Sequence, residues 1–230
     1  MSKRNRRRTP PRPTVFLDFG GVLSAGHDPV PAVHELLGGD AAAVGEALWA
    51  ERGAYDAGRT SPEEYWGAVA AAAGITELTA AEVEELQCAD NRYFLRLDPE
   101  ARALLHDLAR NGVRLALLSN ASAAFGEAVR RADWFEAFTL AVISAEERTV
   151  KPEREIYEVL LDVLAHETGG VRLPSAVIFF DDREDNVAAA RALGIDAHLW
   201  PRNGDPHPEG VEHGAALARR VLAERGVPMD

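Results

Sequence analysis

What most constrains the fold is a set of short apolar runs that each stop abruptly at polar residues, with amphipathic segments between them. TVFLDFGGVL, VRLALLSN, residues 137–143, AVIFFDD and IDAHLW read as buried strands, the first ending in a glycine turn. Residues 98–112, 123–132, 152–166, 186–193 and 209–225 read as helices. Asp98 and Pro99 suit a helix cap and first residue, Gly112 and Gly194 suit helix stops, and Ile156, Val159, Leu160 and Leu164 form one stripe. Apolar strands alternating with helices predict an α/β fold: a Rossmann-like parallel sheet with helices on both faces. Such sheets bind ligands at the carboxyl ends of their strands, so the residues just after each run matter most.

From about residue 28 to residue 91 the pattern is helical, which predicts a small helical insert after the first strand. SPEE at 61–64 and TAAE at 79–82 each match a capping box. Gly53, Gly58 and the polar stretch between them suggest a turn between two insert helices. Trp49, Arg52, Tyr55, Arg59, Tyr65 and Trp66 cluster here; they suit either a pocket for a polar substrate or helix packing with snorkelling arginines, and packing is preferred. The expected organisation is a basic leader (1–13), a core (14–27 and 92–230) and the helical insert.

The net charge is −12, yet Lys3, Arg4, Arg6, Arg7, Arg8 and Arg12 all precede residue 14. The remainder holds 19 basic against 37 acidic residues, or −18. An acidic body repels a phosphate backbone, which argues against nucleic acid as partner, and the leader reads as a solvated tail. Arg6 to Arg8 ahead of an apolar run is not read as an export signal, because Asp18 breaks the run and no small-residue cleavage site follows. No run approaches the roughly 18 apolar residues of a membrane span. One cysteine, Cys88, excludes an internal disulfide or a cysteine-based zinc site, so a reducing cytoplasm is expected. Nothing in the pattern indicates an oligomeric state.

Four strand ends or their neighbours carry reactive groups: Asp18, Ser119-Asn120, Lys151-Pro152 and Asp181-Asp182. Each alone has a plain explanation, since aspartate, serine and asparagine favour turns, acids favour helix starts and a surface lysine is commonplace. Together they supply what phosphoryl transfer needs: an anionic nucleophile, a site for a divalent cation, polar donors and a fixed positive charge. A carboxylate reaches phosphorus only if anion repulsion is neutralised, which Mg²⁺ on Asp18 and Asp182 would do. Ser119, Asn120 and backbone N–H groups suit phosphoryl oxygens, and Lys151 offsets the shared negative charge.

DFGGVL, LLSN, the Lys-Pro of TVKPEREIY and FFDDREDN, in this order, resemble the four motifs of the haloacid dehalogenase-like hydrolases, over residues 15–200. The resemblance implies a Rossmann-like core with a cap inserted after the first strand. It implies a small phosphorylated metabolite as substrate, Asp18 as the residue that becomes phosphorylated, Ser119 and Lys151 as its partners in catalysis, and Mg²⁺ on Asp18, Asp182 and the Gly20 carbonyl. Asp181 stands where many members have glycine and is the second choice for the metal, with Asn186 behind the ligands.

The chain departs from most phosphatases of that family at Gly20, where they carry an acid/base aspartate. Its D-x-G-x-V motif resembles the branch that includes glucose-1-phosphatase-like enzymes and the amino-terminal domains of epoxide hydrolases. A sugar 1-phosphate expels a comparatively acidic hydroxyl and is modestly favoured. His27 and Asp28 are candidate proton carriers, with loop solvation the plainer reading. The alternatives are a degenerate binding or regulatory protein, a haloacid dehalogenase, which the Asp181-Asp182 pair disfavours, and a phosphomutase, which Gly20 disfavours.

Overall fold

The computed structural model describes residues 13–25, 28–167, 170–204 and 210–229. All but the last residue of the basic leader, and His27, lie outside the described residues. Five parallel strands form one sheet in the order β3-β2-β1-β4-β5: β1 Thr14–Leu17, β2 Arg114–Ser119, β3 Leu140–Ile143, β4 Val177–Asp181 and β5 Asp196–Leu199. Register pairs Leu17 with Leu117 and with Phe180, so β1, β2 and β4 end level and bring Asp18, Ser119 and Asp181 to one edge.

Side chains alternate across β1 as a strand requires. Val15 and Leu17 pack on one face with Leu104, Leu105 and Leu108 of α5 (Pro99–Arg110) and with Ala218 and Leu222 of α10 (Gly214–Glu224). Phe16 packs on the other with Ile156 and Leu160 of α8 (Arg154–Glu167) and Val187 of α9 (Glu184–Ala192). Both faces are thus covered, as continuously apolar strands demand.

Between β1 and α5 lie four helices: α1 Val30–Leu37, α2 Ala41–Asp56, α3 Pro62–Ala72 and α4 Ala80–Phe94. Both expected capping boxes form, Ser61 with Glu64 and Thr79 with Glu82. The helices enclose a separate apolar cluster around Leu48, Tyr55, Tyr65, Trp66 and Leu86. Full burial of each large side chain contributes about 1.5–3 kcal/mol, enough in sum to hold the helices together. The insert joins the core through a narrow stem. Ala25 N donates to Arg96 O (2.7 Å), Asp98 N donates to Leu23 O (2.8 Å), and Ser24 bridges Leu97.

Several boundaries differ from expectation. Gly53 lies inside α2, not in a turn, because Leu48, Arg52 and Tyr55 keep one buried stripe going past it; the chain turns at Gly58, where φ is +64°. The last insert helix runs past residue 91 to Phe94. Asp133–Ala137 forms a 3₁₀ turn, so β3 starts only at Leu140. Helix α9 begins two residues before 186, and α10 begins at Gly214. Among the described residues, no helix is long and apolar enough to cross a membrane.

Candidate active site

Asp18 follows β1 directly, and its backbone N–H still donates to Phe180 O (2.9 Å), which holds the residue at the sheet edge. Its carboxylate accepts from Phe19 N (2.7 Å) and meets Lys151 Nζ at 2.7 Å, both on Oδ1. Burial pushes the Asp18 carboxyl up to about 7, with Lys151 opposing and Asp181 and Asp182 adding to the rise. A bound cation would return it to the ionised form that a nucleophile needs.

Lys151 is buried, and its ammonium is shared among Asp18, Asp181 Oδ2 (2.7 Å) and Leu118 O (2.9 Å). Burial alone would lower its pKa, but the two carboxylates outweigh that and raise it, so it stays charged. Asp181 is fully buried and its oxygens are engaged: Oδ2 by Lys151, Oδ1 by Asn186 Nδ2 (2.8 Å) and Arg183 N (2.9 Å). It acts as the counter-charge that steers Lys151. Asp182 is half-buried in the same edge, with Arg202 Nε 3.4 Å away, and burial and Asp181 raise its pKa against Arg202 and Lys151.

Asp18, Asp181 and Asp182 each place a carboxylate oxygen within 4.8 Å of the others. Asn186 Oδ1 is buried beside them without a hydrogen-bond partner. An orphaned acceptor next to carboxylates is a set of hard oxygen donors, which fits a small divalent cation such as Mg²⁺. Gly21 makes room for this arrangement. It has φ +71°, and a Cβ there would run into the Asp182 carboxylate and the Arg202 side chain.

The edge opens into a cleft of about 290 Å³. The core supplies Asp18, Gly20, Ser119, Asn120, Lys151, Asp182 and Asn186, so seven of the eight expected site residues line it, while Asp181 lies buried just behind. Asn120 spends its amide on the backbone of Lys151 and so positions that residue. Asp28 is exposed and its carboxylate accepts from Val30 N just ahead of α1, away from the cleft lining.

The insert and neighbouring loops contribute residues that motif reading did not assign. Trp49, Arg52 and Asp56 come from α2, Phe94 from α4, Phe125 from α6 (Ala123–Arg130), and Arg202 follows β5. Arg52 and Asp56 stand four residues apart, a helical pairing visible in sequence, but nothing local shows which way that face turns. The aromatic cluster divides. Tyr55, Tyr65 and Trp66 are insert core, whereas Trp49 is 48% exposed at the cleft and Arg59 pairs with Glu153 on the surface.

The chain is 27% identical over 192 residues to the sesquiterpene phosphatase astK of Aspergillus oryzae, covering 80% of this chain and 88% of that one. A haloacid dehalogenase family enzyme of Bacteroides thetaiotaomicron, solved with magnesium and inorganic phosphate, superposes with a TM-score of 0.63 at 20% identity, covering 85% and 97% of the two chains. The L-2-haloacid dehalogenase of Xanthobacter autotrophicus superposes with a TM-score of 0.62 at 21% identity, covering 95% and 85%; at such identities the likeness shows a shared fold. The profile of the haloacid dehalogenase-like hydrolases matches residues 13–194, and the protein belongs to that family.

Proposed function

We propose that the protein is a Mg²⁺-dependent phosphatase that hydrolyses a small phosphomonoester through a phosphorylated Asp18. The observation that carries this reading is the buried Lys151 ammonium set between Asp18 and Asp181, with Asp182 and the unpartnered Asn186 Oδ1 alongside. A haloalkanoate dehalogenase attacks carbon and has no use for a cation site, so this donor set favours phosphorus. The phosphatase name of the Aspergillus oryzae relative points the same way.

The bound metal would neutralise phosphoryl oxygens and the nucleophile together, held by Asp18, Asp182 and the Gly20 carbonyl. The Asp18 carboxylate attacks phosphorus, the bond to the leaving oxygen breaks, and its electron pair departs with that oxygen. Ser119 and backbone N–H groups after β2 hold the transferred oxygens, and Lys151 balances the charge that builds at the sheet edge. Water then attacks phosphorus, and the pair of the broken P–O bond returns to Asp18.

The four-helix insert acts as the cap that closes over the leaving group. Phe19, Phe94, Phe125 and Trp49 give the cleft apolar walls, with Arg52 the cationic side chain that the insert adds to them. Such walls suit a leaving group with an apolar face, such as one side of a sugar ring or a hydrocarbon alcohol. The test is phosphate release from sugar 1-phosphates, sugar 6-phosphates, nucleotides, prenyl phosphates and an aryl phosphate, with Mg²⁺ or chelator. Mg²⁺-dependent release that Asp18→Asn abolishes is expected; release that persists in Asp18→Asn would sink the covalent mechanism.

A further inference from the structure

The cleft lacks an obvious proton carrier. Gly20 brings no side chain, and a Cβ there would meet nothing within 4 Å, so packing does not demand glycine. Among the described residues lining the cleft there is no histidine, and the acids are Asp18, Asp182 and Asp56. The first two belong to the nucleophile and cation site. Asp56 remains.

Although Asp56 ends an insert helix, the core holds it. Its carbonyl accepts from Ser144 Oγ (2.5 Å), and that hydroxyl in turn accepts from Ala121 N (2.9 Å) in the loop after Ser119. The backbone N–H of Ser122 in the same loop faces its carboxylate and favours the ionised form. The segment that follows Ser119 therefore carries Asp56 with it.

The charge around Asp56 is unbalanced. Arg52 Nε reaches both its oxygens (3.0 and 3.1 Å), while Arg52 Nη1 reaches both oxygens of Asp90 from α4 (2.9 and 3.0 Å). Tyr65 of α3 faces the same group, and Ser122 and Ser144, which do not titrate, face it from the core. Two carboxylates share one buried guanidinium, so one negative charge is in excess, and only Asp56 of the two lines the cleft. A single proton relieves that excess.

Resting on the phosphatase reading, we propose that Asp56 is the acid and base of the reaction, supplied by the insert in place of a carboxylate at position 20. As the P–O bond breaks, protonated Asp56 gives its proton to the leaving oxygen and is left ionised against Arg52. Water then attacks the phosphorus on Asp18, ionised Asp56 takes the proton that water loses, and the carboxyl returns to its starting state. Burial pushes Asp56 up to about 6, with Arg52 opposing and Asp90 adding to the rise, which suits a group that must both give and take a proton near neutral pH.

The experiment compares kcat/KM for an alkyl phosphate and for 4-nitrophenyl phosphate in the full chain and in Asp56→Asn. An alkoxide needs a proton far more than a nitrophenolate does. Loss of general acid catalysis should cost about 100-fold or more on the alkyl ester and under about tenfold on the aryl ester. Rapid mixing with the aryl ester should also show a burst of nitrophenol equal to the enzyme, because the phosphorylated Asp18 then waits for its base. Equal losses on both esters without a burst, or no loss, overturns the proposal while leaving Asp18 and the phosphatase reading intact. Should Asp56→Asn fail to fold, Asp90→Asn decides. Removing that charge must move the alkaline limb of the alkyl-ester pH profile to lower pH, and an unmoved limb counts against Asp56.

Discussion

Asn120 grips the backbone of Lys151 from both sides: its Nδ2 donates to Lys151 O and its Oδ1 accepts from Lys151 N, each at 2.8 Å. The loop after β2 is thereby fixed to the loop ahead of α8, thirty-one residues later, and the Lys151 ammonium inherits its aim from that grip. Asn120→Ala removes both bonds and leaves two backbone groups to find water. It should destabilise the protein by about 1–3 kcal/mol in urea denaturation. It should also lower kcat more than it raises KM; unchanged kcat would show that Lys151 holds its place unaided.

Lys151 itself is the counter-charge for two buried carboxylates. Lys151→Met should cost about 3–5 kcal/mol, because Asp18 and Asp181 are then left buried with no cation. Adding Asp181→Asn to that variant should recover part of the loss. A double-mutant cycle in denaturant measures this, and strict additivity would mean the pair is not coupled.

The two adjacent glycines should respond differently. Gly20→Ala places a methyl group in open space and should leave the melting temperature nearly unchanged. Gly21→Ala must accept φ +71° and displace the Asp182 carboxylate, so it should lose about 1–3 kcal/mol and weaken Mg²⁺ binding measured by calorimetry. Equal effects at both positions would contradict the arrangement of Asp182 over Gly21.

Asp56 makes a prediction about stability that is separate from catalysis. Its folded-state pKa is raised from 3.8 to about 6, so the folded chain holds the proton more tightly than the unfolded chain. That contribution is complete below about pH 3.8 and is lost as pH rises to about 6. Asp56→Asn keeps the neutral shape at every pH. Its stability relative to the parent should therefore rise by up to about 3 kcal/mol between pH 4 and pH 7. Paired denaturation curves at the two pH values check the sign; a relative fall would mean that Asp56 is ionised throughout.

Much of this arrangement was legible in the sequence because the residues gathered at the sheet edge follow directly where apolar runs stop. Asp18, Ser119 and Asp181 each lie at or next to the end of a strand in a sheet whose central strands are level, so strand ends translate directly into one edge. Ser61 and Thr79 capped their helices as their local spacing implies. What escaped depended on pairs distant in the chain. Arg52 and Asp90 stand thirty-eight residues apart. Gly53 reads locally as a breaker, yet the packing of Tyr55 and Leu48 carries the helix through it. Asp56 is an ordinary helix-end acid until Ser122 and Ser144 show which loop it meets.

The insert leaves the sheet and returns to it through the same few rungs, Leu23 to Ala25 against Arg96 to Asp98. A stalk of that kind divides the labour of inheritance. Strand order and register do not depend on the chain between those rungs, whereas the cleft does, because Asp56 is tied to Ser144. On the proposal that Asp56 carries the proton, a change in the insert would alter the acid and the cleft walls in one event.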